Sequence, residues 1–135
     1  MKIAFLVGRI VVGLFYLFSG VNLLLQLGAM VAFVGSRNVP FPEVAVPVSA
    51  ILLLIAGLSI LTGIWPVIGV VALVVFLLPV SVIIHNFWAV ADPMQRAEEM
   101  YSFLLNMGLL GSGLMFLAIP RPWPYSLKFP GRTPA

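Results

Sequence analysis

The sequence contains no cysteine, one histidine and only four acidic residues among its 135 positions. Without cysteine the chain can form no disulfide, no thiolate nucleophile, no C-x-x-C redox pair and no cysteine-ligated iron–sulfur cluster. Any redox role would therefore depend on an electron carrier from elsewhere, and we expect no covalently bound cofactor. One histidine without cysteine also falls short of the three or four ligands of a metal site. We therefore expect no metal site in this chain.

Charge is equally scarce. Charged residues make up 8% of the chain and hydrophobic residues 62%, whereas soluble domains carry about a quarter charged residues. A net charge of +3 would suggest nucleic-acid binding in a soluble protein, but in a membrane protein the basic residues more simply report topology. We therefore exclude nucleic acid as a partner and expect the lipid bilayer to be the main solvent.

What the sequence does contain is four long apolar segments, at 3–27, 47–64, 66–88 and 100–119. Each is close to the roughly 20 helical residues that cross ~30 Å of hydrocarbon. Lipid offers no partner for free backbone groups, and these segments lack the alternating pattern of barrel strands. The sequence thus predicts an all-α, antiparallel bundle of four transmembrane helices over residues 1–119.

Two terminal segments complete the predicted domain organisation. The first apolar segment has no cleavage site of the signal-peptide type, so we expect it to be retained as a helix. Residues 120–135 contain five prolines, too many for a packed element. We expect this Pro-rich tail to be cytoplasmic and to lie on the membrane surface or against a partner.

The basic residues predict the orientation of the bundle. Cytoplasmic flanks of membrane helices are enriched in lysine and arginine. One side of the predicted bundle carries five of them, and the other carries only Arg37 and Arg96; the five are Lys2, Arg9, Arg121, Lys128 and Arg132. Both termini should therefore be cytoplasmic, and we expect a multi-pass protein of the inner (plasma) membrane of a prokaryotic cell.

The few polar residues within the apolar segments fall near the opposite, outer end. Asn22 and Gln26 lie four residues apart on the first helix, so their side chains share one face. His85 lies near the end of the third helix, and Asn106 lies about two turns into the fourth. We expect these side chains to converge on an outward-opening pocket, with Trp88 as an aromatic wall.

His85 allows two interpretations. Imidazole titrates near neutral pH, so His85 could bind a carbonyl-bearing amphiphile such as a quinone head group and move a proton. Alternatively it hydrogen-bonds across the bundle or reaches the interface. We expect no carboxylate near it. Asn106 is similar, since its amide could bind a ligand or bridge two helices, which contributes about 0.6 kcal/mol in membranes.

Three further features carry structural expectations. Arg9 lies at the cytoplasmic end, where its side chain should extend to lipid phosphates; an internal ion pair is the alternative. Pro79 lies inside the third segment and should kink that helix just before His85. Glycines such as Gly13 and Gly20 should let helices approach closely.

Four stretches in a fixed order resemble one family of membrane proteins. They are GRIVVGLFYLFSGVNLL at 8–24, GLSILTGIWPVIGVVAL at 57–73, HNFWAVADP at 85–93 and FLLNMGLLGSGLMF at 103–116. Together they resemble the DoxX family of small four-helix integral membrane proteins, over nearly the whole chain. The most specific pieces are the His-x-Phe-Trp segment and the asparagine that precedes GLLGSGL.

The resemblance implies a membrane subunit near quinone chemistry. Members of the family are associated with redox assemblies, including a thiosulfate:quinone oxidoreductase and complexes concerned with oxidative stress. Arg9, His85, Trp88 and Asn106 occupy family-typical positions. Two positions depart from the family pattern, because Leu23 and Leu53 stand where members often have a basic and an acidic residue. This loss favours a non-catalytic accessory subunit over an enzyme.

Three hypotheses about function remain. The first is an accessory membrane subunit of a respiratory or redox complex that holds a quinone or lipid in the outer pocket; an enzymatic role would then be as part of a quinone-linked oxidoreductase. The second is a purely structural or assembly subunit that docks other membrane subunits or copies of itself. The third is a small transporter, although the helices carry no carboxylate between Arg9 and His85.

Overall fold

The computed structural model describes residues 1–127, and these residues are helical or in turns, with no β-strand among them. Residues 128–135, including the predicted cytoplasmic Lys128 and Arg132, lie outside the described part. Five α-helices follow one another along the chain, and a π-helical turn at Val80–Ile84 directly continues the fourth. The helices are α1 (Lys2–Leu25), α2 (Leu27–Ser36), α3 (Pro42–Thr62), α4 (Pro66–Pro79) and α5 (Pro93–Met115).

Four helical stretches within residues 1–127 are long and apolar enough to cross a membrane: Lys2–Leu25, Pro42–Thr62, Pro66–Ala89 and Pro93–Ala118. At a rise of 1.5 Å per residue, helices of this length match the ~30 Å hydrocarbon layer. The predicted number of spanning helices is confirmed. The chain is therefore a multi-pass membrane protein, helical over the part that the structure describes.

The helix bounds differ from those predicted at three places. The helix expected from residue 47 begins at Pro42. A proline is tolerated in the first turn because the N–H that it lacks would have no partner within the helix. The helix expected from residue 100 begins at Pro93, after Asp92 accepts a hydrogen bond from the Gln95 backbone N–H. The ten-residue helix α2 was not predicted, and at about 15 Å it is too short to span.

Close packing of α1 against α3 forms the centre of the bundle. Gly57 lies so near α1 that an added Cβ would stand 2.7 Å from the backbone nitrogen of Leu17. Gly13 faces Leu61, and Gly20 faces Ala50. Small residues at these positions let the two backbones approach, as the sequence predicted for Gly13 and Gly20.

The hydrophobic core combines residues from α1, α3 and α4. Its buried members are Tyr16, Leu53, Ala56, Ile60, Ala72, Leu73 and Leu77. By contrast, α5 buries only Glu99 and Gly113. Helix α5 therefore covers one side of the bundle and leaves most of its surface to lipid or to a partner.

The bundle has two chemically different ends. At the first, called the tail end, Trp123 is 3% exposed and packs edge-on against Phe5 at 5.3 Å. The Leu127 backbone N–H donates to the carbonyl of Thr62 at 3.0 Å. The described part of the Pro-rich tail thus packs on its own bundle. At the second end, Arg37, His85 and Glu99 meet.

Candidate functional site

The site begins with an irregular turn at the end of α4. Directly after Pro79, where a kink is predicted, the chain continues as a π-helical turn over Val80–Ile84. The backbone N–H of His85 donates to the carbonyl of Val80 at 3.2 Å, which closes this wider turn. Single π-helical turns inside α-helices are frequent at functional sites. Here the turn places His85 at the junction of α4 and α5.

His85 has a carboxylate partner, so the expectation of no nearby carboxylate is wrong. Its Nδ1 lies 2.8 Å from Oε2 of Glu99. The physical reason is the early start of α5: Glu99 lies inside this helix, where it is 8% exposed. The predicted fourth segment, which begins at residue 100, leaves Glu99 just outside the helix.

Arg37 completes the cluster from the end of α2. One of its guanidinium nitrogens, Nη2, donates to Oε1 of Glu99, and Nη1 donates to the carbonyl of Ile84 at 3.1 Å. The guanidinium also lies 5.2 Å from the centre of the Phe33 ring. We call Arg37, Glu99 and His85 the triad. It ties α2, the π-helical turn and α5 together through charge-assisted hydrogen bonds.

An apolar cavity of about 300 Å³ adjoins the triad. We call it the His85 cavity, because His85 is its one ionisable lining residue and Ser49 its one other polar one. The remaining lining residues come from α1 to α4, the π-helical turn and the chain between α2 and α3: Leu23, Met30, Phe33, Val34, Val39, Ala45, Val46, Phe76, Pro79, Val80, Ile83 and Ile84. The cavity can therefore hold an apolar group with one polar end.

Of the predicted pocket residues, the structure brings only His85 to this cavity. Asn22 and Gln26 hydrogen-bond to each other at 2.8 Å on an exposed face. Trp88 packs edge-on against Phe87 and is 53% exposed. Asn106 lies on α5, away from the cavity lining. The amides and the tryptophan thus do not line the His85 cavity.

Arg9 lies at the tail end and behaves unlike either expectation. It is 2% exposed, so it does not extend to lipid phosphates, and no acidic side chain pairs with it within residues 1–127. Its guanidinium donates instead to the backbone carbonyls of Pro124 and Tyr125, at 3.0 and 2.9 Å. Arg9 therefore fixes the tail through Nη1 and Nη2, which donate to these carbonyls without a counter-charge, while its buried Nε has no partner within residues 1–127.

The sequence holds one signal that would have found the triad. Asp92, Pro93 and Gln95 stand at the N-cap, first and third positions of a helix, which is a start signal. A helix begun there places Glu99 about two turns inside it, where an acid would need a partner. Hydropathy alone predicts that the helix begins at residue 100, which leaves Glu99 outside it.

Chemically, the triad can bind and orient a polar head group. Glu99 and the histidine can hold a proton between them, and the cavity gives an apolar ligand access to the imidazole. No three His, Cys, Asp or Glu side chains lie close enough to share a metal ion anywhere in the described part of the chain. The site is therefore suited to hydrogen bonding and proton exchange.

Comparison with known proteins identifies one family. The DoxX family model matches residues 4–86, more than half of the chain. The match includes Arg9, Arg37 and His85, while Glu99 and Asn106 lie beyond it. No curated protein and no solved structure matches the chain. On the strength of the family match, this chain is a member of the DoxX family.

Proposed function

We propose that this DoxX family protein is an accessory membrane subunit of a redox complex, and that it holds the head group of a quinone or lipid in the His85 cavity. One observation carries the proposal: the sole histidine of the chain lines an otherwise almost wholly apolar cavity. Binding sites for small molecules typically combine an apolar lining with few, well-placed polar groups. The chain's lack of cysteine leaves the redox centre to a partner.

The size and position of the cavity support an amphiphilic occupant. A volume of about 300 Å³ is at the lower end of the range for ligand cavities, roughly 300–1,000 Å³. Phe33 and Ile83 line it and are also exposed on the outer surface of the bundle. A ring head group could thus lie beside His85 while an apolar tail extends into the lipid.

A cavity-filling variant tests this occupant. Ala45 lines the cavity, whereas its neighbour Val44 is 60% exposed and faces away from it. We expect Ala45→Phe to abolish saturable binding of a short-tailed benzoquinone to the protein in lipid nanodiscs. Val44→Phe, the matched control, should bind like the unaltered protein. Equal binding of the benzoquinone by both variants would contradict the proposal. So would the recovery of the same bound molecule from both variants after purification from native membranes.

Membership of a redox complex needs a separate test. Purification from native membranes under mild conditions should recover proteins that carry redox cofactors, together with quinone. Recovery of a homo-oligomer alone, free of cofactors and quinone, would contradict this part of the proposal and leave the binding experiment unaffected.

We also propose an orientation, with the tail end cytoplasmic and neighbouring helices in opposite directions. Lys2, Arg9 and Arg121 all belong to the tail end, where positive charge should remain in the cytoplasm. Gly13 faces Leu61 while Gly20 faces Ala50, which supports opposite directions for α1 and α3. Because the chain has no cysteine, single cysteines can be labelled cleanly. Glu98→Cys should react from the outside of intact cells, and Lys2→Cys should not.

The exposed surface of α5 favours a second candidate, a structural role in assembly. Gly108 and Gly111 lie on this helix with nothing near enough to touch an added Cβ. If another membrane helix packs there, Gly108→Leu should disrupt the complex recovered from native membranes. Gly8→Leu, at an equally open position on α1, should leave it intact. Equal recovery of the complex with both variants would exclude α5 as the docking face.

A further inference from the structure

The hydrogen bond between His85 and Glu99 fixes which imidazole nitrogen carries the proton. Arg37 is permanently charged and donates to Oε1 of Glu99, so Glu99 is held as a carboxylate. A carboxylate only accepts hydrogen bonds. Nδ1 of His85, at 2.8 Å from Oε2, must therefore be the donor.

The other imidazole nitrogen, Nε2, is left for a ligand. No side chain or backbone group within residues 1–127 hydrogen-bonds to it, and His85 lines the cavity. In a neutral imidazole that keeps its proton on Nδ1, Nε2 has a lone pair and accepts hydrogen bonds. A group that donates a hydrogen bond therefore fits this position.

Charge balance favours the neutral imidazole. The negative charge of Glu99 is already balanced by the positive charge of Arg37, with which it forms an ion pair. A proton on Nε2 would add a second positive charge at the end of an apolar bundle, where uncompensated charge is costly. Arg96 supplies no counter-charge, because it is itself positive and donates to the carbonyl of Val90.

We infer that the His85 cavity selects the hydroxyl-bearing form of its ligand, an amphiphile whose head group donates an O–H to Nε2 of His85. For a quinone this is the reduced hydroquinone. The inference rests on the proposed function, since it assumes that the cavity is occupied. Glu99 acts as a positioning residue: it holds the tautomer, and Arg37 holds Glu99 charged.

Three probes with the same ring substituents and tail test the preference in nanodiscs. They are a short-tailed hydroquinone, its quinone and its dimethyl ether. The hydroquinone is measured anaerobically with a reductant, and the other two are measured without one. The hydroquinone should bind at least about fivefold more tightly than the other two, as expected for one added hydrogen bond. Equal or tighter binding of the quinone would overturn the inference and leave the proposed occupant standing. If no probe binds, both fail.

Exchange of Glu99 for glutamine separates positioning from mere support of the fold. In Glu99→Gln, Arg37 should retain the amide oxygen, which turns the amide N–H₂ towards Nδ1. Nδ1 must then accept, the proton moves to Nε2, and the preference should reverse in favour of the quinone carbonyl. Glu98→Gln, at the exposed neighbouring position, should keep the original preference. A uniform loss of affinity for all three probes in Glu99→Gln would overturn the positioning role.

The tautomer can also be observed without any ligand. His85 is the only histidine, so protein labelled with ¹⁵N-histidine and purified with a tag free of histidine gives one imidazole. Its ¹⁵N spectrum at neutral pH should show a protonated Nδ1 and an unprotonated Nε2. A spectrum with the proton on Nε2, or on both nitrogens, would overturn the inference even if Glu99→Gln fails to fold.

Discussion

The two ends of the bundle each hold an arginine, and they bind it in different ways. At one end, Arg37 pairs with the carboxylate of Glu99, which also binds His85. At the tail end, Arg9 meets only backbone carbonyls, with the rings of Phe5 and Trp123 each 6.0 Å away. Carbonyl partners hold a chain segment in place but exchange no protons. Within residues 1–127, the paired carboxylate and imidazole lie at the end that has the cavity.

Removal of the shared carboxylate should have the largest effect, because it breaks the triad at its centre. Glu99→Ala leaves Arg37 and His85 without their partner, and we expect the free energy of unfolding to fall by about 3 kcal/mol. Unfolding of the protein in mixed detergent and SDS micelles measures this loss. Glu98→Ala, one residue earlier and exposed, should stay within about 0.5 kcal/mol. Similar losses for both would mean that the triad does not stabilise the fold.

The tail end should respond locally. Arg9→Met removes both hydrogen bonds to the tail, so a cysteine introduced as Ser126→Cys should react with a thiol reagent about tenfold faster, as expected for a loss near 1.4 kcal/mol. The sequence offers no competing cysteine. Arg37→Met should leave this labelling rate unchanged, and so should Lys2→Met. Faster labelling after Arg37→Met would show that the two ends are coupled.

Exchange of Arg37 for lysine keeps the positive charge but removes the planar guanidinium, whose two nitrogens can bind two partners at once. Arg37 uses two nitrogens on two different partners, Glu99 and the carbonyl of Ile84. A lysine can keep the ion pair but lacks the planar fork that serves both partners. We expect Arg37→Lys to lower the free energy of unfolding by about 1 kcal/mol, less than Arg37→Met. Equal losses in the same micelle assay would mean that charge contributes nothing at this position.

The smallest effect on stability should come from an exposed polar pair that belongs neither to the triad nor to the contacts of Arg9. Gln26 donates to Asn22 on an exposed face. Gln26→Ala should therefore change the free energy of unfolding by less than about 0.5 kcal/mol. It should also leave ligand binding at the His85 cavity unaltered. A loss of binding in a nanodisc titration would restore Gln26 to the site predicted from the sequence.

The architecture was readable from the sequence because lipid imposes a simple rule. Backbone groups in hydrocarbon must pair within the segment, so length and hydropathy sufficed to identify four spanning helices. Helix α2 gave no such signal, since ten residues are too few to span. Its position depends on tertiary packing, which hydropathy does not encode.

The site was only partly readable for a related reason. His85 was found because an ionisable residue next to an apolar run is unusual. Arg37 and Glu99 were missed because charged residues beside apolar segments look like solvated loop residues. The helix-start signal at Asp92 would have placed Glu99 inside α5, but only the fold shows that Arg37 reaches across to it. The amides Asn22 and Asn106 were grouped by depth alone, which does not determine the direction in which a side chain points.

The π-helical turn at Val80–Ile84 makes the spacing of the chain as important as its residue types. Such a turn amounts to one residue inserted into a regular helix, and each residue of an α-helix advances the next by about 100°. If residues 80–84 instead formed a regular α-helix with no residue removed, the imidazole would be rotated by roughly that angle, away from its acid. A related chain could thus retain the entire His-Asn-Phe-Trp stretch and still present a different side chain to the cavity.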